Sequence, residues 1–132
     1  MNRLPENAHR ALRRMLANGP LTAVPKRSSD QHLLVALAAA QFDPRKNYRE
    51  REVNETLKSW IKTFCEPCGI DHVTLRRLLV DFRLLSRTAS GSDYRVSPKE
   101  IGETEALATI QPAGVLAEIR SDRESRKRRR AT

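Results

Sequence analysis

The chain has 132 residues, 39% of them hydrophobic, which is enough for one modest core and too little for a second full domain. Its 25 Lys and Arg residues exceed its 16 Asp and Glu residues, and the net charge of +9 should attract polyanions or acidic partners. No apolar run reaches the length of about 18 residues that a membrane span needs, and the arginine-rich start has no signal-peptide pattern. We therefore expect a cytoplasmic protein outside the membrane.

An amphipathic arm helix is predicted in the first segment, residues 1–20. Four apolar side chains fall on one helical face, namely Ala8, Leu12, Met15 and Leu16. Gly19-Pro20 is a stop signal for this helix. Because a small domain offers little surface to cover the stripe within one chain, we expect it to pack on a second copy, so that the protein is a homodimer.

Three helices are predicted in the central segment, residues 21–97. Residues 31–42 are apolar nearly all round, which is typical of a helix buried at the centre of a small domain. The second helix has a regular apolar face that consists of Val53, Leu57, Trp60, Ile61 and Phe64. The third, residues 71–85, has an inward face of Leu75, Leu78, Leu79, Phe82 and Leu85. Its outward side carries Val73, Arg76, Arg77, Val80 and Arg83.

A β-hairpin is predicted directly after the third helix. Its strands are residues 84–88 and 93–97, and Gly91 in the connecting turn is free to take a positive φ. Two helices followed by a hairpin are the skeleton of a winged helix-turn-helix. The expected fold class is therefore mainly α with a small β-hairpin, a winged-helix-like single domain with flanking helical arms.

The C-terminal part is predicted as a helical extension, residues 98–119, followed by a basic tail, residues 120–132. The tail has seven basic residues against Asp122 and Glu124, five of them in the R-K-R-R-R run at 126–130. A segment of this composition has too few apolar side chains to pack, so we expect it to be disordered when unbound.

The central segment resembles a bacterial family known as domain of unknown function 2087. The matching motifs are V-P-K at 24–26, F-D-P-R at 42–45, Y-R-E-R-E-V-N at 48–54, D-H-V-T-L-R-R-L-L-V-D at 71–81, and L-L-S-R with G-S-D-Y-R in the hairpin. Members of this family occur alone or fused to helix-turn-helix repressors of the arsenical-resistance-regulator type. The resemblance implies a winged-helix-like fold and gene regulation. It supplies no ligand and no catalytic residue. The C-E-P-C stretch departs from the family pattern.

Double-stranded DNA is the partner that these features favour. An arginine on a recognition helix can bind guanine O6 and N7, which assigns DNA contact to Arg76, Arg77 and Arg83. Arg87 and Arg95 flank the hairpin tip and are candidates for phosphate or minor-groove contact. The tail adds candidates for unspecific phosphate contact, namely Arg126, Lys127, Arg128, Arg129 and Arg130.

Other interpretations of the same residues stay open. Arg76 and Arg77 could instead pair with carboxylates such as Glu50 and Asp81, and the hairpin could be an ordinary solvated one. Val73 and Val80 on the outward face would also suit a protein-interaction module, or contact with thymine methyl groups. RNA ranks below duplex DNA, because the aromatic content is only 5% and its base-stacking readers need exposed aromatic rings.

Neither a metal site nor an enzyme is expected. Cys65, Cys68 and His72 are three residues of types that bind zinc, but a closed site needs a fourth ligand, and two incidental thiols are the preferred interpretation over a metal site or a redox pair. The sequence contains no G-x-G-x-x-G, G-x-x-x-x-G-K, G-x-S-x-G or H-E-x-x-H motif. We therefore expect no cofactor and no catalytic residue.

Overall fold

The computed structural model describes residues 4–65, 69–90 and 92–131. Gly91 and Cys68, on which two of the sequence predictions depend, lie outside these ranges. The elements in chain order are α1 (Leu4–Met15), α2 (Ser28–Ala39), β1 (Tyr48–Arg49), α3 (Glu50–Lys62), α4 (His72–Asp81), β2 (Leu85–Arg87), β3 (Asp93–Val96), a 3-10 turn (Pro98–Glu100), α5 (Ile101–Leu107) and α6 (Pro112–Ala131). The expected fold class, mainly α with a small antiparallel sheet, is confirmed.

Helix α2 is the centre of the core. Its side chains are buried from Leu34 to Ala39, because this stretch of the helix is apolar all round and can be covered on every side. Helices α1, α4 and α5 all pack against it. The buried central helix that the sequence predicted is therefore confirmed, although it begins three residues earlier, at Ser28, and ends at Ala39.

Helix α1 is part of the same core and does not form a separate arm. Three of the four stripe residues, Ala8, Leu12 and Leu16, are at most 3% exposed, and Met15 is half-buried against the core. They pack within the chain, where α1 lies against α2, α5 and α6. The stripe is thus covered within the same chain. A second copy is not needed to cover it, and that need was the reason for predicting a homodimer.

An ion pair joins α1 to α2 beside this apolar contact. The Arg14 guanidinium donates two hydrogen bonds to the Asp30 carboxylate, at 3.0 and 2.5 Å. Asp30 is nearly buried, and the bidentate contact with Arg14 holds the pKa of this carboxyl below its ordinary range. A buried carboxylate at the start of α2 is therefore compensated by α1.

The sheet is small and antiparallel, with the strand order β1-β3-β2. Tyr48 pairs with Tyr94, and the hairpin register pairs Leu85 with Val96. The hairpin is confirmed, and each strand end lies within one residue of its prediction. Strand β1 adds the third strand.

Helix α4 ends earlier than the sequence predicted. It stops at Asp81, with Phe82 as the C-cap, and Leu85 lies in β2, so these two residues do not continue the inward face of the helix. The reason is local: Arg83 takes a left-handed conformation with φ of 61°. Its N–H then bonds the Val80 carbonyl, and the Leu84 N–H bonds the Leu79 carbonyl, which is a Schellman ending.

The C-terminal segment also differs from its prediction. Residues 112–131 form one helix, where disorder was expected from Arg120, because arginine and lysine favour helix strongly once Val115, Leu116 and Ile119 anchor the first turns in the core. Pro112 stands at the first position of this helix. An N–H at that position would have no partner within the helix, so the absence of an N–H in proline costs no hydrogen bond.

Two further findings concern the chain as a whole. The core cluster includes side chains of α1, α5 and α6 as well as those of the central segment, so the flanking segments pack with it as one core.

Across residues 4–65, 69–90 and 92–131, none of the helices combines the length and the apolar character needed to cross a bilayer.

We predict that R83G is more stable than R83A. Both variants lose the guanidinium, but only glycine adopts φ of 61° without steric cost. The left-handed backbone costs an ordinary residue about 1–2 kcal/mol, which exceeds the extra unfolded-state entropy of glycine, about 0.4–1 kcal/mol. Urea unfolding of the two variants should differ by about 0.5–1 kcal/mol in favour of glycine. Equal stability would show that the position is not strained.

Candidate nucleic-acid interface

The outward side of α4 is a mixed surface with one prominent cation. Thr74, Arg77 and Asp81 are exposed, while Val73 is half-buried. Val80 is also half-buried and packs against the core. The Asp71 side chain caps the start of the helix by accepting a hydrogen bond from the Val73 N–H. Arg77 is therefore an exposed cation in the middle of this face.

Arg76 is not exposed as the sequence analysis expected. Its side chain is only 14% exposed, and Nη1 donates a 2.5 Å hydrogen bond to Asn54 Oδ1 on α3. Its Nη2 lies 3.5 Å from Glu50 Oε1. The alternative that paired Arg76 with Glu50 is thus what the structure shows. This arginine ties α4 to the first turns of α3.

Tyr94 extends the same polar network to the hairpin. Its hydroxyl donates to Glu50 Oε1 at 3.2 Å, and the residue, which lies in β3, is 2% exposed. The Arg87 guanidinium carbon lies 5.9 Å from the centre of that ring, within cation-π range. Burial raises the pKa of the Tyr94 hydroxyl, and the nearby charge of Arg87 only partly opposes this.

An open cleft of about 320 Å³ lies between α4 and the hairpin. Its walls contain three arginines and two carboxylates, and its lining consists of Glu50, Arg76, Arg77, Val80, Asp81, Arg87 and Tyr94. Glu50 is engaged by Arg76 and Tyr94, which leaves Arg77 and Arg87 as exposed cations at the mouth. Within the described ranges, neither has a carboxylate at ion-pair distance.

The structure separates the two hairpin arginines. Arg87 pairs across the strands with Tyr94, so both lie on the sheet face turned toward α4. Arg95 pairs with Ser86 and occupies the opposite face. Arg83 and Arg87 come together instead, along the outer edge of β2. The sequence correctly identified exposed arginines in the hairpin but not which of them share a surface.

The basic residues at 120–130 belong to the distal half of α6, where every side chain is exposed. Helix α6 is attached to α1 by polar contacts: Glu118 contacts His9 at 2.8 Å and Arg13 at 3.2 Å, and Arg13 also contacts Asp122 at 2.8 Å. The hydrogen bond to His9 and the charge of Arg13 lower the pKa of Glu118. Arg123 donates to the Ala17 carbonyl just past the end of α1.

These contacts show that α1 and α6 run in the same direction, because the partner on α6 advances as the residue on α1 advances. Helix α6 therefore continues past the end of α1 and projects its basic half. It holds the five basic tail residues that the sequence assigned to phosphate contact, Arg126, Lys127, Arg128, Arg129 and Arg130.

The cysteine region is only partly described. Cys65 is buried, and its backbone forms an isolated parallel β-bridge with Leu21. His72 Nδ1 lies 3.5 Å from Asp71 Oδ1. Among the described residues, no three potential metal ligands are grouped together, and Cys68 is outside that set.

A comparison with family models assigns the chain to a family. The model described as an uncharacterized protein conserved in bacteria, DUF2087, matches residues 20–96. The chain belongs to this family. The match covers α2 through β3, the part that carries α4 and the hairpin. No curated protein and no solved structure matches the chain.

Two side chains of this family segment take part in the partly buried Arg76 network without having been predicted as site residues. Asn54 and Tyr94 stand in the Y-R-E-R-E-V-N and G-S-D-Y-R motifs, and they bind Arg76 and Glu50 respectively. The signal in the sequence was the presence of polar residues on two predicted elements, but nothing in their spacing shows that they meet.

We predict that R76A and R77A differ sharply in stability. R76A leaves Asn54 Oδ1 and the Glu50 carboxylate without their shared donor, which should cost about 1–3 kcal/mol of unfolding free energy. R77A removes an exposed side chain and should change stability by less than about 0.5 kcal/mol. Thermal and urea unfolding measure both. Equal effects would mean that the Arg76 network does not stabilise the fold.

Proposed function

We propose that the chain binds double-stranded DNA and acts as a bacterial transcription regulator or an accessory to one. The observation that carries the proposal is the set of exposed arginines on one side of α4 and the hairpin. Arg77 and Arg87 stand at the mouth of the cleft, and Arg83 adjoins Arg87 along β2. Cations without carboxylate partners retain their full attraction for phosphate and for base edges.

The order and pairing of the elements support a winged-helix-like arrangement. Helix α2, strand β1, helices α3 and α4 and the β2-β3 hairpin follow one another, and β3 lies between β1 and β2 in the sheet. In proteins of this arrangement the second helix of the pair enters the major groove while the hairpin reaches the backbone or minor groove. Helix α4 has 10 residues and is roughly 15 Å long, and a helix diameter of about 10–12 Å with side chains fits a major groove about 12 Å wide.

The two adjacent arginines have different roles in this proposal. Arg77 is the exposed one and would reach a base edge, with guanine O6 and N7 as the matching acceptors. Arg76 is held by Asn54 and Glu50 and would keep α4 in position against α3. Arg95, on the other face of the sheet, is left for backbone contact alone.

The rival proposal, a protein-interaction surface on the outward side of α4, has less support. It requires an exposed apolar patch at Val73 and Val80. Val80 packs against the core and Val73 is half-buried, so little apolar area remains for a partner to cover. The exposed side chains between them are polar or charged, which suits a polyanion better.

We expect a duplex selected from a randomised library to lose affinity for R77A. If Arg77 reads a base, the variant should bind the selected site about 1–3 kcal/mol more weakly and should tolerate every base at one position. The matched control is R10A, which removes the same charge from an exposed position of α1. Failure to enrich any motif, with normal folding, would contradict sequence-specific DNA binding and would favour the interaction surface.

Removal of residues 124–132 should weaken binding equally on all duplexes. The deletion spares Ile119, which anchors α6 in the core, and Arg123, which contacts α1, so the remainder of the helix should stay folded. Each phosphate contact that is lost lowers the slope of log affinity against log salt by about 0.9. A slope that stays the same after the deletion would place the tail away from the nucleic acid.

A further inference from the structure

The outer edge of β2 offers backbone donors to a ligand. Strand β2 is at the border of the sheet and pairs only with β3 among the described strands. In the hairpin, the Ser97 N–H donates to the Leu84 carbonyl, and the Thr88 N–H donates to the Asp93 carbonyl. These two bonds identify which opposite residues of β2 and β3 are hydrogen-bonded to each other. By the alternation of an antiparallel ladder, the N–H groups of Leu85 and Arg87 point away from β3.

A groove of about 590 Å³ runs along this edge and collects three cationic side chains. Arg83 comes from the end of α4, Arg87 from β2, and Lys99 from the 3-10 turn after the hairpin. All three are exposed, and within the described residues none is within ion-pair distance of a carboxylate. The hydroxyls of Ser86 and Ser97 lie 3.0 Å apart in the same lining. The groove therefore offers positive charge together with neutral hydrogen-bond donors.

Arg83 occupies a position for which glycine is the favoured residue. It is the left-handed residue of the Schellman ending, and most helices that end in this way have glycine there. A cation elsewhere in the last turn would obtain the same attraction to the helix dipole without the left-handed backbone. The dipole alone thus does not account for an arginine at this position, and its side chain is placed in the groove beside Arg87.

One carboxyl, that of Glu100, also lines the groove and opposes an anion there. It forms a hydrogen bond with Glu103, which together with burial raises the pKa of Glu100 and reduces its tendency to ionise. Three cations against one carboxyl leave the groove positive even when Glu100 is ionised.

We propose that this groove binds a phosphate group of a nucleic-acid backbone, held by Arg83, Arg87 and Lys99. A phosphodiester has the negative charge and the acceptor oxygens that these side chains, the serine hydroxyls and the outward N–H groups match. The proposal rests on the DNA-binding function proposed above and adds to it a second contact, one that fixes the hairpin on the backbone while Arg77 faces the bases. Lys99 is a residue that no sequence motif indicated.

The test measures duplex affinity against salt for R83G, R83K and K99Q in the full chain. We expect R83G and K99Q each to weaken binding several-fold on selected and random duplexes alike, and to lower the salt slope by about one unit. R83K keeps the charge and should bind within about twofold of the parent, a result that a purely structural role of Arg83 would not require. E100Q should bind more tightly than the parent.

The outcomes separate this proposal from that of DNA binding. If R77A loses affinity while R83G and K99Q bind as the parent does, the groove proposal is overturned and DNA binding stands. A second arm titrates inorganic phosphate into the ¹⁵N-labelled chain, where we expect shifts of the Leu85 and Arg87 amides that R83G and K99Q abolish. Absence of these shifts overturns the site, and shifts without any effect of the variants on duplex affinity overturn its assignment to backbone phosphate.

Discussion

The burial of α2 is the constraint on which the rest of the molecule depends. Leu34, Val35 and Leu37 are fully buried, and α1, α4 and α5 all lie against this helix. A helix with no polar face cannot be stable unless other elements cover it on every side. The position of α4, and with it the direction in which Arg77 projects, is therefore a consequence of the packing around α2. The position of the hairpin depends on α4 in turn, because β2 comes directly after α4 in the chain and packs against it.

The elements of the fold were largely predictable, because most of their signals are local. The apolar face from Val53 to Phe64 and the alternation in the hairpin depend only on the geometry of a helix and of a strand. The end of α4 was not predictable in this way, since an arginine replaces the glycine that usually marks a left-handed ending. The covered stripe of α1 depends on contacts with α6, more than a hundred residues away, which periodicity does not report.

The candidate site was predictable in its residue types and not in its arrangement. Adjacent arginines on a helix differ in direction by about 100°, so one of them can be exposed while the other is buried. Only the position of α3 decides that Arg76 meets Asn54 and Arg77 does not. The separation of Arg87 from Arg95 follows from the strand register, in which a shift of one residue would exchange their faces. Sequence periodicity does not report which residues of distant elements come into contact.

The projecting half of α6 has a consequence for how the protein opens locally. Beyond Ile119 none of the side chains up to Arg130 is buried, so these turns are stabilised by their backbone bonds and by surface contacts such as those of Asp122 with Arg13 and of Arg123 with Ala17, and not by burial in the core. Arg126 and Arg130 stand one turn apart, and their repulsion works against the helix. Amide exchange should therefore be fast there and slow in α2, with a continuous gradient along one element. A polyanion would neutralise the repulsion, so the helix content of this segment would depend on what is bound to it.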